Sequence, residues 1–233
     1  MLDLSVPVSL ECFDGVGSDA SEAVSRALGR LEVDGTQYML YHTPLGQPRF
    51  RRRRRAPHMG KAGSAAPQTD QPPDGVHPLI SFSDEGGIGV AAVVRSRMIV
   101  GLGLDILDVR RLDRYRTDAT ARCRMERRLC APDEIVQESA VPGIGPGDAL
   151  AVRFAVKEAV SKALGTGLRL GLGLGSRGGV RPHEITVIPD NHRADIRLNG
   201  TAMRRLVHLG AKSVETRWVL KSPHLVALAL LQR

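Results

Sequence analysis

The chain has 233 residues, a formal net charge of +8 at pH 7 and a pI near 10.0. Its apolar share of 42% is ordinary for a globular protein, but aromatic residues contribute only 3%, so the core must consist mostly of Val, Leu, Ile and Ala. Three cysteines without a CxxC pair indicate a reducing compartment and argue against a zinc site. No long apolar run and no positively charged leader is present, which predicts a cytoplasmic protein without a membrane span.

The positive charge predicts a polyanionic partner, and charge alone leaves nucleic acid, an acidic protein and a phosphorylated small molecule open. The arginine run at 51–55 lacks the interleaved aromatic residues that stack on bases, which argues against nucleic acid. Residues 51–77 are rich in Pro, Gly and Arg and show no apolar periodicity, so we interpret them as a mobile loop.

The first hundred residues predict a helix, an extended stretch and a hairpin. The helix is expected at about residues 20–29 and the extended stretch at 37–50. Residues 78–94 contain two β-prone runs on either side of Asp-Glu-Gly-Gly, a pattern typical of a β-hairpin. The helix contains Glu-Ala-Val-Ser-Arg-Ala-Leu-Gly at 22–29, and the same sequence returns at 158–165 with Lys in place of Arg.

A buried strand is predicted at 97–107, because this segment is apolar apart from Arg97 and Asp105. A buried carboxylate is unfavourable unless it is paired, bound to a metal or neutralised, which marks Asp105 as a candidate functional group. The alternative is that the strand ends at Asp105 and that this residue caps the polar helix that follows, for which Asp108 is an equally good cap.

The clearest helix of the chain is predicted at 146–167, with Asp148 as its candidate N-cap and Gly165 as its candidate end. Its apolar residues form one stripe at positions 152, 155, 156, 159 and 163. A glycine-rich loop at 165–179, a strand, a helix and a closing apolar strand are expected after it.

The repeated eight-residue sequence suggests an internal duplication, although a common helix-ending pattern would also explain it. The succession of helix, strand, turn and closing strand can be read twice along the chain. We therefore predict an α+β fold of two similar halves packed face to face, with one cleft between them.

Glu158 and Lys162 are four residues apart and therefore share one face of the predicted helix, away from the apolar stripe. On this spacing alone they form an exposed ion pair. Together with Asp105, however, Glu158 offers a second hard oxygen ligand of the kind that Mg²⁺ takes alongside substrate phosphates. Lys157 and Lys162 would then neutralise those phosphates.

Two linked motifs resemble the 4′-phosphopantetheinyl transferases, particularly the holo-acyl-carrier-protein synthases. Gly103-Leu104-Asp105-Ile106 is similar to the family's G-[IV]-D-[IVL] strand, and the sequence at 153–162, RFAVKEAVSK, is similar to its [RW]-[FS]-x-x-K-E-A-x-x-K helix. The resemblance covers roughly 98–233. The first hundred residues resemble, more weakly, the N-terminal half of the larger surfactin-synthetase-activating enzymes, which are pseudo-dimers with one active site between their halves. The resemblance therefore implies two halves, residues 1–97 and 98–233, each a small antiparallel sheet packed on a helix, which are related by a pseudo-twofold axis.

The resemblance implies transfer of the phosphopantetheine arm of coenzyme A to a carrier-protein serine, with release of adenosine 3′,5′-bisphosphate. It implies that Asp105 and Glu158 hold Mg²⁺ and that Lys162 acts with them. Glu134 matches a family glutamate that orients a metal-bound water or helps to deprotonate the serine. The residues implied in coenzyme A binding are Lys157, Lys162, Gly165, Ser81 and Ser83.

The family also places an arginine six residues after the motif aspartate, where it docks an acidic carrier protein, here from a polyketide, peptide or fatty-acid pathway. In this chain that residue is Arg111, and Arg110 and Arg114 lie beside it. The sequence departs from the larger enzymes in two ways. Ser81-Phe82-Ser83-Asp84 lacks their histidine for the 3′-phosphate of coenzyme A, and Leu107 replaces their third carboxylate. A non-catalytic member that binds carrier protein or coenzyme A is therefore the alternative function.

Overall fold

Two three-stranded antiparallel sheets and one long helix form the framework of the fold. The structure is a computed structural model, and it describes residues 6–14, 26–30, 38–42, 48–52, 75–136, 145–169 and 179–233. The strands are β1 (Val8–Asp14), β2 (Tyr38–His42), β3 (Pro48–Arg52), β4 (Leu79–Glu85), β5 (Ile88–Val94), β6 (Ile99–Asp108), β7 (Ile185–Asp190), β8 (Arg193–Leu198), β9 (Ser213–Lys221) and β10 (His224–Gln232). The helices are α1 (Asp113–Thr117), α2 (Ala119–Leu129), α3 (Pro132–Val136), α4 (Pro146–Leu164) and α5 (Gly200–His208), with 3₁₀ turns at Val109–Leu112 and Pro182–Glu184.

The strand orders of the two sheets correspond to each other. One sheet has the order β1-β5-β4 and the other the order β6-β10-β9. In each sheet the strand that comes last in sequence lies in the middle, between the first strand and the strand that directly precedes it in sequence. Each set is accompanied by a two-stranded hairpin, β2-β3 or β7-β8. The fold is therefore α+β with small antiparallel sheets, as predicted. The division at residues 97 and 98 falls between β5 and β6, and it stays a prediction, as does the pseudo-twofold axis.

The β4–β5 hairpin predicted at 78–94 is confirmed, with Leu79 opposite Val94 and Glu85 opposite Ile88. Its two-residue turn has φ angles of +58° at Gly86 and +85° at Gly87. Glycine adopts such angles without the steric penalty of a Cβ, which explains the glycine pair. Strand β4 lies beside β6 of the other sheet, where Ser81 contacts the β6 backbone.

Helix α4 packs against β6 at van der Waals distance because β6 has glycines on the facing side. A Cβ on Gly103 would overlap the carbonyl oxygen of Ala159 and lie 2.5 Å from the backbone nitrogen of Ala163. A Cβ on Gly101 would lie 2.5 Å from the carbonyl oxygen of Ala163. Side chains alternate along a strand, so Asp105 projects from the same face of β6 as the two glycines, towards α4.

Within the described residues, the core has two main parts, one on each face of the β6-β10-β9 sheet, and a small third cluster of Leu129, Cys130 and Leu150. The first lies around α4, whose predicted apolar stripe is buried throughout. The second lies towards the other sheet and contains Val90, Leu104, Ile106 and Leu228. The alternation along β6 thus separates a leucine and isoleucine face, buried between the sheets, from a glycine and aspartate face beneath α4.

The ends of α4 differ partly from the prediction. Asp148 is not the N-cap, because the helix begins at Pro146 with Gly145 as its cap, and Asp148 lies in the first turn, paired with Arg116. Proline at the first helical position is a start signal that the sequence already contained. The predicted end is confirmed, since Gly165 is the C-cap with φ +74°.

Several predictions fall wholly or partly outside the described residues. Of the helix expected at 20–29, residues 26–30 are described and are helical. Most of the loop at 51–77 and of the glycine-rich loop at 165–179 lies outside them. Among the residues that are described, no helix combines the length and the apolar character needed to cross a bilayer.

Candidate active site

The centre of the site is the buried carboxylate of Asp105 on β6, which faces α4. Lys162 reaches it from the last turn of α4, with 2.7 Å between its Nζ and Asp105 Oδ1. The same ammonium lies 3.0 Å from the carbonyl oxygen of Leu104, so it is anchored to the strand as well as to the side chain. The structure therefore brings together residues 57 positions apart in sequence.

The N-terminal half contributes to this cluster through β4. Ser83 Oγ lies 3.2 Å from Asp105 Oδ1, to which it donates, and 3.0 Å from Lys162 Nζ, from which it accepts. Ser81, two residues earlier on the same face of β4, accepts a 2.9 Å hydrogen bond from the backbone N–H of Leu104. Both serines are buried. They were predicted to bind coenzyme A, and in the structure their hydroxyls contact β6 and the cluster.

Glu158 lies one turn before Lys162 on α4, and its charge interacts with that of Asp105. Burial, followed by the neighbouring Asp105 charge, raises the pKa of Glu158 from 4.5 to about 7, against the opposing effect of Lys162. Burial likewise raises the pKa of Asp105, although the Lys162 ammonium and the Ser83 hydroxyl act in the other direction. A cation beside these two carboxyl groups, Asp105 buried and Glu158 half-buried, would favour their charged forms.

These residues fit a magnesium ion. Carboxylate oxygens are the ligands that Mg²⁺ prefers, and the Lys162 ammonium already acts as a substitute cation at Asp105. Within the described part of the chain, no set of three or more His, Cys, Asp or Glu side chains is placed to hold a metal. A Mg²⁺ ion bound by two carboxylates would therefore complete its coordination with water and substrate phosphate oxygens, which is its usual mode.

The alternative interpretation of Asp105 as a helix cap is excluded by the position of β6. The strand continues to Asp108, and it is Asp108 that caps the following 3₁₀ turn by accepting a 3.0 Å hydrogen bond from the backbone N–H of Arg110. The Arg110 side chain also binds Asp108, and these hydrogen bonds lower the pKa of the Asp108 carboxyl to about 2. Asp105 is thus available for another role.

Glu134 and Lys157 do not join the cluster but form a separate, fully enclosed ion pair. Both side chains have 0% exposure, and 2.7 Å separates Lys157 Nζ from Glu134 Oε2. The ammonium also donates to the carbonyl oxygens of Leu129, Pro182 and Ile185, at 2.6 to 3.0 Å.

The Glu134 carboxylate is equally well satisfied. It accepts hydrogen bonds from the backbone N–H groups of Ala131 and Val187, the latter at 2.9 Å, in addition to its bond from Lys157. In this position the ammonium of Lys157 does not reach a phosphate, and Glu134 does not reach a carrier-protein serine. The roles that the resemblance implies for these two residues therefore do not fit the structure.

The three predicted docking arginines are exposed, and two of them form ion pairs. Arg110 binds Asp108, and Arg111 binds both carboxylate oxygens of Glu85 at 2.7 Å. Arg114 lies over the ring of Tyr115, with its guanidinium carbon 4.5 Å from the ring centroid. Further exposed arginines, which the sequence analysis did not single out, extend this basic surface along α2: Arg124, Arg127 and Arg128.

Glu85 is a residue of the site that sequence reasoning missed. It ends β4 on the same face as Ser81 and Ser83, and its charge contributes to the raised pKa of Asp105. The signal that could have found it is the two-residue period of a strand, counted on from the two serines. Gly165 lies at the end of α4, where its N–H donates to the carbonyl oxygen of Lys162 at 3.0 Å.

Comparisons with known proteins agree with this arrangement of motifs. The family model for the 4′-phosphopantetheinyl transferase superfamily matches residues 101–224, which contain α4 and all but the first two residues of β6. No curated protein sequence matches the chain.

Three solved structures of holo-acyl-carrier-protein synthases are among those similar to the chain. The synthase of Neisseria meningitidis shows 25% identity over 58% of this chain and 100% of its own, with a TM-score of 0.46. That of Bacillus anthracis, in complex with coenzyme A (3′,5′-ADP), shows 24% identity over 58% and 97%, with a TM-score of 0.42. That of Helicobacter pylori, in complex with coenzyme A, shows 21% identity over 56% and 99%, with a TM-score of 0.39.

Proposed function

Since the chain belongs to the 4′-phosphopantetheinyl transferase superfamily, we propose that it transfers the 4′-phosphopantetheine arm of coenzyme A to a serine of a carrier protein. The observation that supports this most strongly is the convergence of the buried Asp105 on β6 with the half-buried Glu158 and the ammonium of Lys162 on α4. This is the charge arrangement that a divalent cation and a pyrophosphate require in one place.

Asp105 and Glu158 would hold Mg²⁺, which when bound offsets the negative charge that develops on the pyrophosphate. Lys162, whose side chain is 31% exposed, would hold the same phosphates with its ammonium. In the transfer, the serine oxygen forms a bond to the phosphorus next to the pantetheine. The bond from that phosphorus to the bridging oxygen breaks, adenosine 3′,5′-bisphosphate leaves and the serine proton is released.

The carrier protein would dock on the basic surface of α1 and α2. Carrier proteins of this reaction are expected to be acidic, and the exposed arginines would attract them and guide their approach. Arg111 lies at the edge of this surface next to Glu85, whose charge acts on Asp105. A carrier bound there would therefore present its serine beside the cluster. The net charge of +8 is then explained by the partner rather than by nucleic acid.

The test is incubation of the protein with coenzyme A, Mg²⁺ and a panel of apo-carrier proteins, read by mass spectrometry. We expect one carrier to gain the mass of one phosphopantetheine, and Asp105→Asn and Glu158→Gln to abolish the gain. Asp195→Asn is the matched control, because Asp195 is exposed on β8 and pairs only with nearby Arg197 among the described contacts. If no carrier gains mass while carrier binding survives in Asp105→Asn, the chain is a binding protein and the proposal is wrong.

A further inference from the structure

Strand β4 presents three polar side chains to β6 at alternate positions, and each has a different partner. Ser81 accepts from the backbone N–H of Leu104, and Ser83 bridges Asp105 and Lys162. Glu85 binds the guanidinium of Arg111. Ser83, the middle residue of this row, therefore lies between a hydrogen bond that ties β4 to the β6 backbone and an ion pair that ties β4 to the 3₁₀ turn after β6.

We propose that Ser83 is a positioning residue of the cation site, which it completes from the N-terminal half of the chain. This role rests on the proposed function in one respect, which is that Asp105 is taken as a cation ligand. Ser83 acts through Asp105 and Lys162 and is not itself assigned to the cation or to coenzyme A.

The bonding of the hydroxyl supports this role. Ser83 Oγ donates to Asp105 Oδ1 and accepts from Lys162 Nζ, so one small group uses both its donor and its acceptor within the cluster. The side chain is 8% exposed, which leaves little competition from water. The hydroxyl thus fixes the direction of the Asp105 carboxylate and the place of the ammonium at the same time.

The surroundings of Ser83 make this geometry stable. β4 pairs with β5 on one side, and its contacts to β6 on the other side are made by side chains rather than by a backbone ladder. The hydrogen bond of Ser81 and the ion pair of Glu85 flank Ser83 along the strand, so a shift of β4 would break both. The N-terminal half is therefore part of the cation site, although its sequence contains neither of the two motifs.

Groups that orient a metal-binding carboxylate contribute measurably to metal affinity, and their removal typically weakens binding by about 10- to 100-fold. The experiment measures binding of Mn²⁺ alone to the full chain, without coenzyme A or carrier, by the paramagnetic resonance signal of free Mn²⁺. We expect Ser83→Ala to weaken Mn²⁺ binding by about 10-fold or more, and Ser83→Thr, which keeps the hydroxyl, to restore most of the affinity.

Ser9→Ala is the matched control. Ser9 is also a buried serine of the β1-β5-β4 sheet, but within the described residues its Oγ has no hydrogen-bond partner. This variant should bind Mn²⁺ as the unchanged protein does. If Ser83→Ala does not fold, as shown by thermal unfolding, Ser83→Cys replaces it, because a thiol has a similar shape and is only a weak donor. An intermediate loss of affinity is then expected.

The outcomes separate this inference from the proposed function. If the unchanged protein binds Mn²⁺ and Asp105→Asn does not, the cation site is established, whether or not any carrier is modified. If Ser83→Ala then binds Mn²⁺ as tightly as the unchanged protein, or if Ser9→Ala loses as much affinity, the positioning role is overturned and the cation site remains. If the unchanged protein does not bind Mn²⁺, the positioning role is overturned together with the cation site.

Discussion

Helix α4 carries two lysines five residues apart, and each pairs with a carboxylate in a very different setting. Lys157 and Glu134 form a sealed pair, with no exposed surface on either side chain. Lys162 and Asp105 belong to an open cluster, in which the lysine side chain is 31% exposed and Glu158 adds a second carboxylate. The two pairs share the same ion-pair distance of 2.7 Å, so the distance alone does not distinguish them.

The difference lies in how completely the charges are satisfied. In the sealed pair the ammonium has four acceptors and the carboxylate three donors, all from the protein. In the open cluster one ammonium faces two carboxylates, and burial raises the pKa of both Asp105 and Glu158. A group whose charge is fully balanced serves the fold. A group with excess charge next to solvent can exchange its partner for a ligand.

The largest expected effect comes from breaking the sealed pair. Lys157→Met should lower the free energy of unfolding by about 3–5 kcal/mol, because it leaves the Glu134 carboxylate buried without a counter-charge. Chemical denaturation measures this loss. The double variant Glu134→Leu with Lys157→Met should recover much of it, because no buried charge then remains.

Lys162→Met is the matched variant in the open cluster. It should lower the free energy of unfolding by only about 1 kcal/mol, because the side chain is partly exposed and Asp105 can take up a proton. Transfer, by contrast, should fall by about 100-fold or more, since a charge that stabilises the phosphates is lost. Equal destabilisation by Lys157→Met and Lys162→Met would show that the two pairs have the same structural role.

The second prediction tests whether the open cluster depends on the close packing of α4 on β6, by adding a methyl group beneath α4. In Gly103→Ala the new Cβ would overlap the backbone of Ala159, which cannot move without the helix. We expect a loss of about 1–3 kcal/mol in the free energy of unfolding, the usual effect of overpacking, together with weaker Mn²⁺ binding as α4 moves from Asp105. Gly29→Ala is the control, because a Cβ there meets nothing within 4 Å.

Much of the fold and part of the site could be predicted from the sequence, because both follow from local patterns. The apolar strand around Asp105, the stripe of α4 and the glycine pair of the hairpin each occupy one continuous segment. Strands β8 and β9 were missed, since charged residues interrupt them, as in Arg-Ala-Asp-Ile-Arg-Leu at 193–198. Their strand character comes from pairing with neighbours, which a local pattern does not contain.

The distinction between Lys157 and Lys162 could not be predicted. Both lysines lie in the same motif. Lys157 is adjacent to Glu158 in sequence, but neither this adjacency nor the helical period identifies the partner of Lys157. That partner, Glu134, lies 23 residues earlier in sequence, and the carbonyl groups that complete the shell belong to residues up to 28 positions away. Only the tertiary fold brings them together. The importance of Ser83 is hidden in the same way, because its contact with Lys162 spans 79 residues.

The third prediction concerns the pH dependence of the free energy of unfolding that the open cluster should produce in the protein without added metal. The pKa of Glu158 is about 7 in the folded state against 4.5 ordinarily, so between these values the unfolded chain has lost a proton that the folded protein keeps. The free energy of unfolding should therefore fall as pH rises through this window. The raised pKa of Asp105 adds a contribution of the same sign.

Denaturation at a series of pH values across this window measures the slope. Glu158→Gln should flatten it, because the neutral amide has no proton to release. Asp195→Asn should leave the slope in place, since Asp195 is an exposed carboxylate on β8, paired with Arg197 and remote in sequence from the cluster. An undiminished slope in Glu158→Gln would assign the pH dependence to groups outside the open cluster.

The smallest expected effect concerns the ion pair at the edge of the open cluster. Arg111 is 64% exposed and Glu85 18%, so Glu85→Gln should change the free energy of unfolding by at most about 1 kcal/mol. The same variant removes a negative charge that acts on Asp105, so the pKa of Asp105 should fall.

Glu85→Gln also releases Arg111 from its internal partner. This should strengthen the binding of an acidic carrier at low ionic strength and leave the binding nearly unchanged at high salt. Titration of the carrier at two salt concentrations checks this, and weaker binding at low salt would show that Glu85 orients Arg111 for the partner instead of competing with it.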